Sequence, residues 1–396
     1  MMILHRLSYA LLWLLVFAMP WENMVLVPGL GTLTRLVGIG AAGLTVLGVL
    51  WQGRLRTPVV GHGLMLAFVG WTLAGMLWSL EPALTRHWVV TYGQLAVMAW
   101  VIWECAADAR AQRGLLAAYV LGAGVSVGAT IVTFLQGQAV FYGRYAAAGF
   151  DPNDLGVILA LGIPMAWYLT RDGGRIAWGF GLYPLVALLG IALTASRGAF
   201  VAACVALLLV LDSVRELTGR GRWLLLGGGV LGVLSLLALV PPEASHRLAS
   251  LGREVQQGTW NERLTIWEAG WSAWLAHPLL GVGTGNYGPA VQAEIGRPVA
   301  AHNTFLSILV ERGVIGCLLF AGMVAVVLLG IQSLPRRARY FWWVLWATWA
   351  IGALTLSFEM RKPTWFIVGL GLAHAAAVRR DAGQVPAEDD GDVAEC

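Results

Sequence analysis

Charge is scarce in this 396-residue chain, in which 12% of the residues are Asp, Glu, Lys or Arg, against about 25% in an ordinary soluble domain. With 58% hydrophobic residues and a mean hydropathy of +0.71, that shortage excludes a soluble globular fold. Cysteine is also rare. Cys105, Cys204, Cys317 and Cys396 are far apart, with no C-x-x-C and no histidine at ligand spacing, which argues against a disulfide framework and a zinc site. The apolar runs lack dyad alternation, excluding a membrane barrel. No repeat of fixed period is visible, and spacings such as Gly124 and Gly128 read as helix packing.

What the sequence does have is long apolar runs. At about 20 residues per span, helices are expected near 7–27, 34–51, 59–79, 88–106, 114–136, 153–170, 175–195, 198–212, 222–240, 302–331, 339–358 and 363–378. His5-Arg6 before the first run resembles the start of a signal peptide. No small-x-small cleavage site follows, so an uncleaved first helix is expected. The fold class is therefore all-α: a polytopic membrane protein of about twelve transmembrane helices. Residues 1–380 form one transmembrane domain, and 241–301 a long periplasmic loop containing short helices.

The net charge of +4 and pI near 9.0 are topology signals. With both termini cytoplasmic, the inner ends hold Arg6, Arg54, Arg56, Arg110, Arg113, Arg171, Arg175, Arg215, Arg220, Arg222, Arg336, Arg337, Arg339, Arg379 and Arg380. Those are fifteen of the 26 basic residues. The short outer loops hold Arg35, Arg86, Arg144, Arg197, Arg361 and Lys362, in keeping with the positive-inside rule. No nucleic-acid partner is implied. The tryptophans fit interfacial anchoring, and 381–396, with Glu388-Asp389-Asp390, reads as a disordered cytoplasmic tail.

The 241–301 stretch is the only long hydrophilic one, and loops of that length are usually functional. Thr259 and Glu262 have capping-box spacing, and Leu264, Trp267, Trp271, Trp274 and Leu275 fall on one helical stripe ending at Pro278. That stripe reads as an interfacial amphipathic helix. Arg263 lies in its first turn, where a cation opposes the helix dipole, so an anionic partner is expected, or a salt bridge with Glu262 or Glu268. Gly283, Gly285 and Gly288 make a formal G-x-G-x-x-G without the strand and helix of a nucleotide site. They read as a flexible turn that could line a pocket. Arg197 lies at a tight turn, where it either snorkels to headgroup phosphates or serves a ligand; Arg144 precedes Gly149-Phe-Asp-Pro-Asn-Asp154, and His302-Asn303 opens the tenth span ahead of Glu311-Arg312-Gly313. Several arginines and a histidine on one membrane face, with no matching acidic cluster, suit a lipid-linked polyanion. Guanidinium groups grip phosphate bidentately, and a neutral imidazole takes a proton from a hydroxyl.

At these residues the chain resembles the O-antigen ligase/polymerase family of bacterial envelope proteins. The segments are Gly149-Phe-Asp-Pro-Asn153, Ser196-Arg-Gly198, Glu262-Arg-Leu-Thr-Ile-Trp267 with His277-Pro-Leu-Leu-Gly-Val-Gly-Thr-Gly-Asn286, and His302-Asn-Thr-Phe-Leu306 with Glu311-Arg-Gly-Val-Ile-Gly316. They cover roughly the second half of the chain. The resemblance implies a GT-C-like glycosyltransferase of the bacterial inner membrane, working on the periplasmic face without metal or cofactor. Its donor would be an undecaprenyl-diphosphate-linked glycan. Arg197 and Arg263 would bind the diphosphate, and His302 would activate the acceptor hydroxyl with inversion at the anomeric carbon. Arg144, Arg247, Arg361 and Lys362 are candidates for donor or acceptor phosphates; Asn153, Asn303 and Glu311 complete the expected substrate-binding set. Asp151 is a variation within its segment, as pocket wall or simple turn. Family analogy favours an O-antigen ligase with a lipid A-core acceptor in lipopolysaccharide biosynthesis. A polymerase joining two undecaprenyl-linked glycans is the alternative, and a transporter or lipid flippase the second.

Overall fold

The computed structural model describes residues 2–29, 31–140, 143–171, 175–214 and 262–384, with 219, 222, 223, 227 and 229. Most of the expected ninth span, the front of the 241–301 loop with Arg247 and Thr259, and most of the tail lie outside the described residues. The first half is built from α1 (Met2–Ala18), a short hairpin of β1 (Leu26–Val27) and β2 (Gly31–Thr32), α2 (Leu33–Gln52), α3 (Val60–Ala74), α4 (Pro82–Cys105) and α5 (Ala109–Leu135). Then come α6 (Pro152–Thr170), α7 (Arg175–Phe180), α8 (Tyr183–Thr194), α9 (Arg197–Ala206) and α10 (Leu208–Val214). After the undescribed stretch, α11 (Arg263–Ala276), α12 (Tyr287–Ile295), α13 (Thr304–Ile331), α14 (Arg336–Thr355) and α15 (Lys362–Gln384) complete the chain.

Among the described residues six stretches are long and apolar enough to cross a membrane: Ile3–Met24, Leu33–Gln52, Val60–Leu77, Ala109–Leu135, Pro152–Thr170 and Thr304–Ile331. Helices also stand at the other expected spans among the described residues, but the seventh and eighth are each broken, into α7 with α8 and α9 with α10. Several boundaries differ from the hydropathy estimate because capping, and not apolarity, starts a helix. Asp108 accepts from the Ala111 N–H, so α5 begins about a turn before the apolar run. Pro82 begins α4 ahead of the expected 88.

The centre of the bundle is α6, buried along nearly its whole length and packed on α5, α8, α9 and α14. Loops that the alternating topology places on one side meet at one end. There the Glu81 N–H donates to Asn286 Oδ1, Tyr145 N–H to the Leu193 carbonyl, and Thr304 Oγ1 to the Leu356 carbonyl. At the opposite end Tyr9 donates to the Ala111 carbonyl and Arg380 to that of Ala107.

The expectation of a flexible glycine turn is corrected by the geometry. Helix α13 is broken at Gly313 (φ 64°, ψ −170°), which frees backbone groups inside a buried region. Residues 278–283 lie along the break and satisfy them. The N–H groups of Val282 and Gly283 donate to the carbonyls of Val310 and Glu311, while those of Val314 and Ile315 donate to Pro278 and Leu279. Trp71 Nε1 takes the Arg312 carbonyl at 2.9 Å. A buried backbone group left unpaired costs about 1–3 kcal/mol, so this segment is a fixed splint. At Gly313 a Cβ would fall 2.1 Å from the Leu279 carbonyl oxygen. Gly313→Ala is therefore expected to destabilise the protein by about 3 kcal/mol or more, read as a lowered Tm in detergent.

The short helices α11 and α12 have their own small core with Ile266, Ala269, Val282, Tyr287, Val291, Ala301 and Val310. The single tryptophan stripe divides. Trp267 Nε1 bonds the Ala301 carbonyl at 2.9 Å, whereas Leu264, Trp271 and Leu275 stay exposed, the face available to an interface. The expected capping box is also corrected. Glu262 is the N-cap itself, left-handed at φ 63° and without a capping bond. Its carboxylate pairs with Arg297 at 2.9 Å.

Candidate functional site

Each expected catalytic residue stands where the backbone changes direction. Arg197 is the first residue of α9, after Ala195 in the left-handed region (φ 47°) and Ser196, whose hydroxyl caps the helix at the Ala199 N–H. Gly198 lets this terminus press against the end of α14, since a Cβ there would meet Thr355 Oγ1 at 2.5 Å. Arg263 is likewise the first residue of α11. His302 is held left-handed at φ 47°, between Ala301, whose carbonyl takes Trp267, and Asn303. Asn303 is the N-cap of α13, accepting from the N–H groups of Phe305 and Leu306 at 3.0 and 3.1 Å.

Electrostatic coupling joins these residues across distant sequence. Burial is the main cause lowering the pKa of Arg263, then the charge of Arg197, with Asp151 opposing. The same order applies to His302: burial lowers its pKa below 6.5, Arg263 lowers it further, and Asp151 raises it. The Arg263 guanidinium thus feels the charge of Arg197, and the imidazole of His302 is biased to the neutral form. Asp151 is both turn and wall. Its carboxylate caps α6 at the Asn153 N–H, 2.7 Å away, and it lines, with His302, Ser307, Glu311 and Arg361, a chamber of about 420 Å³.

The remaining expected residues divide by what they touch. Arg144 is buried, with Nε on the Thr194 carbonyl at 2.8 Å and Nη2 on Asn153 Oδ1 at 2.7 Å. It ties the entry of α6 to the turn that carries Arg197, so Arg144 and Asn153 hold the site from behind. Asn303 is likewise committed to its cap. Arg361 pairs with Asp154, and Lys362 with Glu22, at the rim.

From Glu311 in the chamber wall a buried charged group extends, of which the sequence singled out Glu311 and Arg312 but not Glu359. Arg312, 1% exposed, stands 3.4 Å from Glu311 Oε2 and over the rings of Tyr92 and Phe68, at 4.6 and 5.2 Å from their centroids. Glu311 accepts from the Tyr287 N–H at 3.4 Å. Glu359, fully buried, accepts from Ser307 Oγ at 3.1 Å, and burial pushes its carboxyl up to about 7. The charge pair Glu311-Arg312 inside an apolar run was the legible sign of this cluster; Glu359, one acid in a short polar loop, gave none.

No curated protein matches the chain. Residues 182–321 match the family model Wzy_C, described as O-antigen ligase. That stretch contains Arg197, Arg263, His302 and the glycine splint, and over it the chain is similar to the O-antigen ligase family.

Proposed function

We propose that the protein is an O-antigen ligase. It transfers a glycan from undecaprenyl diphosphate to the lipid A-core oligosaccharide, at the periplasmic face of the inner membrane. What supports this reading is that Arg197 and Arg263 each open a helix, and that the charge of Arg197 acts on Arg263 and that of Arg263 on His302, burial being the larger cause in both. Cations at helix N-termini are individually unfavourable by about 0.3–1 kcal/mol, and two together repel. A diphosphate relieves both costs, because it answers the guanidinium groups and the helix N–H groups at once.

In the reaction, the acceptor hydroxyl loses its proton to His302 as its oxygen bonds the anomeric carbon. The bond from that carbon to the diphosphate oxygen breaks on the opposite face, and its electron pair leaves with the diphosphate. Arg197 and Arg263 stabilise the charge that develops there. The configuration inverts in this single displacement.

The pH dependence follows in sign. His302 acts only when neutral and its pKa lies below 6.5, so kcat/KM of the free enzyme is expected to fall on an acid limb below pH 6.5. Asp151 raises the His302 pKa and partly neutralises Arg263. Asp151→Asn is therefore expected to move the limb to lower pH and to tighten donor binding several-fold, of order 3–10-fold at about 1 kcal/mol for a removed like charge. A limb unmoved by Asp151→Asn would show that His302 is not the titrating base.

Reconstitution with undecaprenyl-diphosphate glycan tests the function. Product only when lipid A-core is supplied supports the ligase; lengthened lipid-linked glycan without it indicates a polymerase, and no product a transporter.

A further inference from the structure

A second cavity, of about 640 Å³, lies between α1, α2 and α4. It follows α4 from His87 to Val101, about 21 Å of helix at 1.5 Å per residue. Its two ends differ. Near the site it is walled by Arg35, His87, Arg361 and Lys362, with Glu22 the acid among them; further along it is walled by Leu15, Ile39, Val97 and Met98. Ile39 and Val97 are 61% and 44% exposed, so the groove opens sideways, where a bilayer would lie. A basic mouth over an apolar trough at the membrane boundary has the form of an anionic lipid.

The groove adjoins the chamber of His302: Trp88, Met360 and Arg361 line both. Among the described residues, none from α9 or α11, which carry the arginine pair, lines the groove. Displacement with inversion needs attacker and leaving group on opposite faces of the anomeric carbon. A molecule lodged against Trp88 and Arg361 would face His302 from cavities that Arg197 and Arg263 do not line, the side an acceptor would take.

We propose that this groove holds the lipid anchor of the acceptor, a phosphorylated acyl lipid, and delivers its glycan to His302. The assignment rests on the transfer reaction proposed above. Arg361 and Lys362 would then exchange their carboxylate partners Asp154 and Glu22 for lipid phosphate.

Gly93 supplies a mild obstruction. It lines the groove on α4, and a Cβ there meets nothing within 4 Å. A photocrosslinking residue at Val97, in protein reconstituted into vesicles containing lipid A, is expected to capture lipid A. Gly93→Phe should cut that capture at least tenfold and leave undecaprenyl diphosphate binding unchanged. Ile39→Trp, on the facing wall, repeats the obstruction from a second helix. Preferential capture of undecaprenyl diphosphate, or lipid A capture unaffected by both obstructions, overturns the proposal. Because the readout is binding, it is separable from catalysis: lipid A captured without any glycan transfer would sink the ligase reading and leave the lipid groove standing.

Discussion

His302→Asn is expected to lower glycan transfer by about 10²–10⁴-fold, the usual contribution of a positioned base, with donor binding retained. Asparagine is the informative replacement because His302 occupies the left-handed region at φ 47°, which asparagine tolerates and alanine adopts at a cost of about 1–2 kcal/mol. The variant keeps the turn between Ala301 and the Asn303 cap, so α13 should still start in place. What it loses is a nitrogen able to accept a proton near neutrality. Single-turnover transfer, measured beside the affinity for undecaprenyl diphosphate, separates the chemical defect from a binding one.

The second large effect is expected at the arginine pair. Arg197→Gln or Arg263→Gln should each reduce kcat/KM by about 10²–10³-fold, the loss typical of one transition-state donor. Lysine in either position should recover only part of this, since a point charge does not reproduce a bidentate guanidinium. Stability should move the other way. Arg263 opposes a helix dipole and its pKa is lowered by burial and by the charge of Arg197, so its removal is expected to leave stability unchanged or to raise it by about 0.3–1 kcal/mol, read as an unchanged or slightly higher Tm. Activity lost without stability lost is the mark of a group placed for a ligand.

Much of this was legible in the chain because hydropathy and charge are local. The long apolar runs locate the helices, and Arg197, Arg263 and His302 stood out as polar groups at places where a membrane protein has little reason to keep them. The limits came from interactions that are not local. Nothing near Gly281 or Gly283 indicates that those residues splint a break at Gly313, since the partner carbonyls are some thirty residues on. Arg144 reads as an exposed loop cation until Thr194 and Asn153 are seen around its guanidinium. Glu262 has the spacing of a capping residue at the third position, yet the helix starts one residue after it, and Arg297 takes the carboxylate. Glu359 carries no pattern at all; only burial against Ser307 and near Arg312 makes it notable. The lipid groove is the largest such case, because its basic mouth is assembled from α2, α4 and the loop before α15.

The central claim is that Arg197 and Arg263 hold a lipid-linked diphosphate beside His302. Titration of undecaprenyl diphosphate into nanodisc-reconstituted wild-type protein, Arg263→Gln, the Arg197→Gln/Arg263→Gln pair and His302→Asn tests it most directly. Saturable binding is predicted for the wild type and for His302→Asn, weakened at least tenfold, about 1.4 kcal/mol, in Arg263→Gln and further in the pair. Equal affinity in all four proteins would contradict the account.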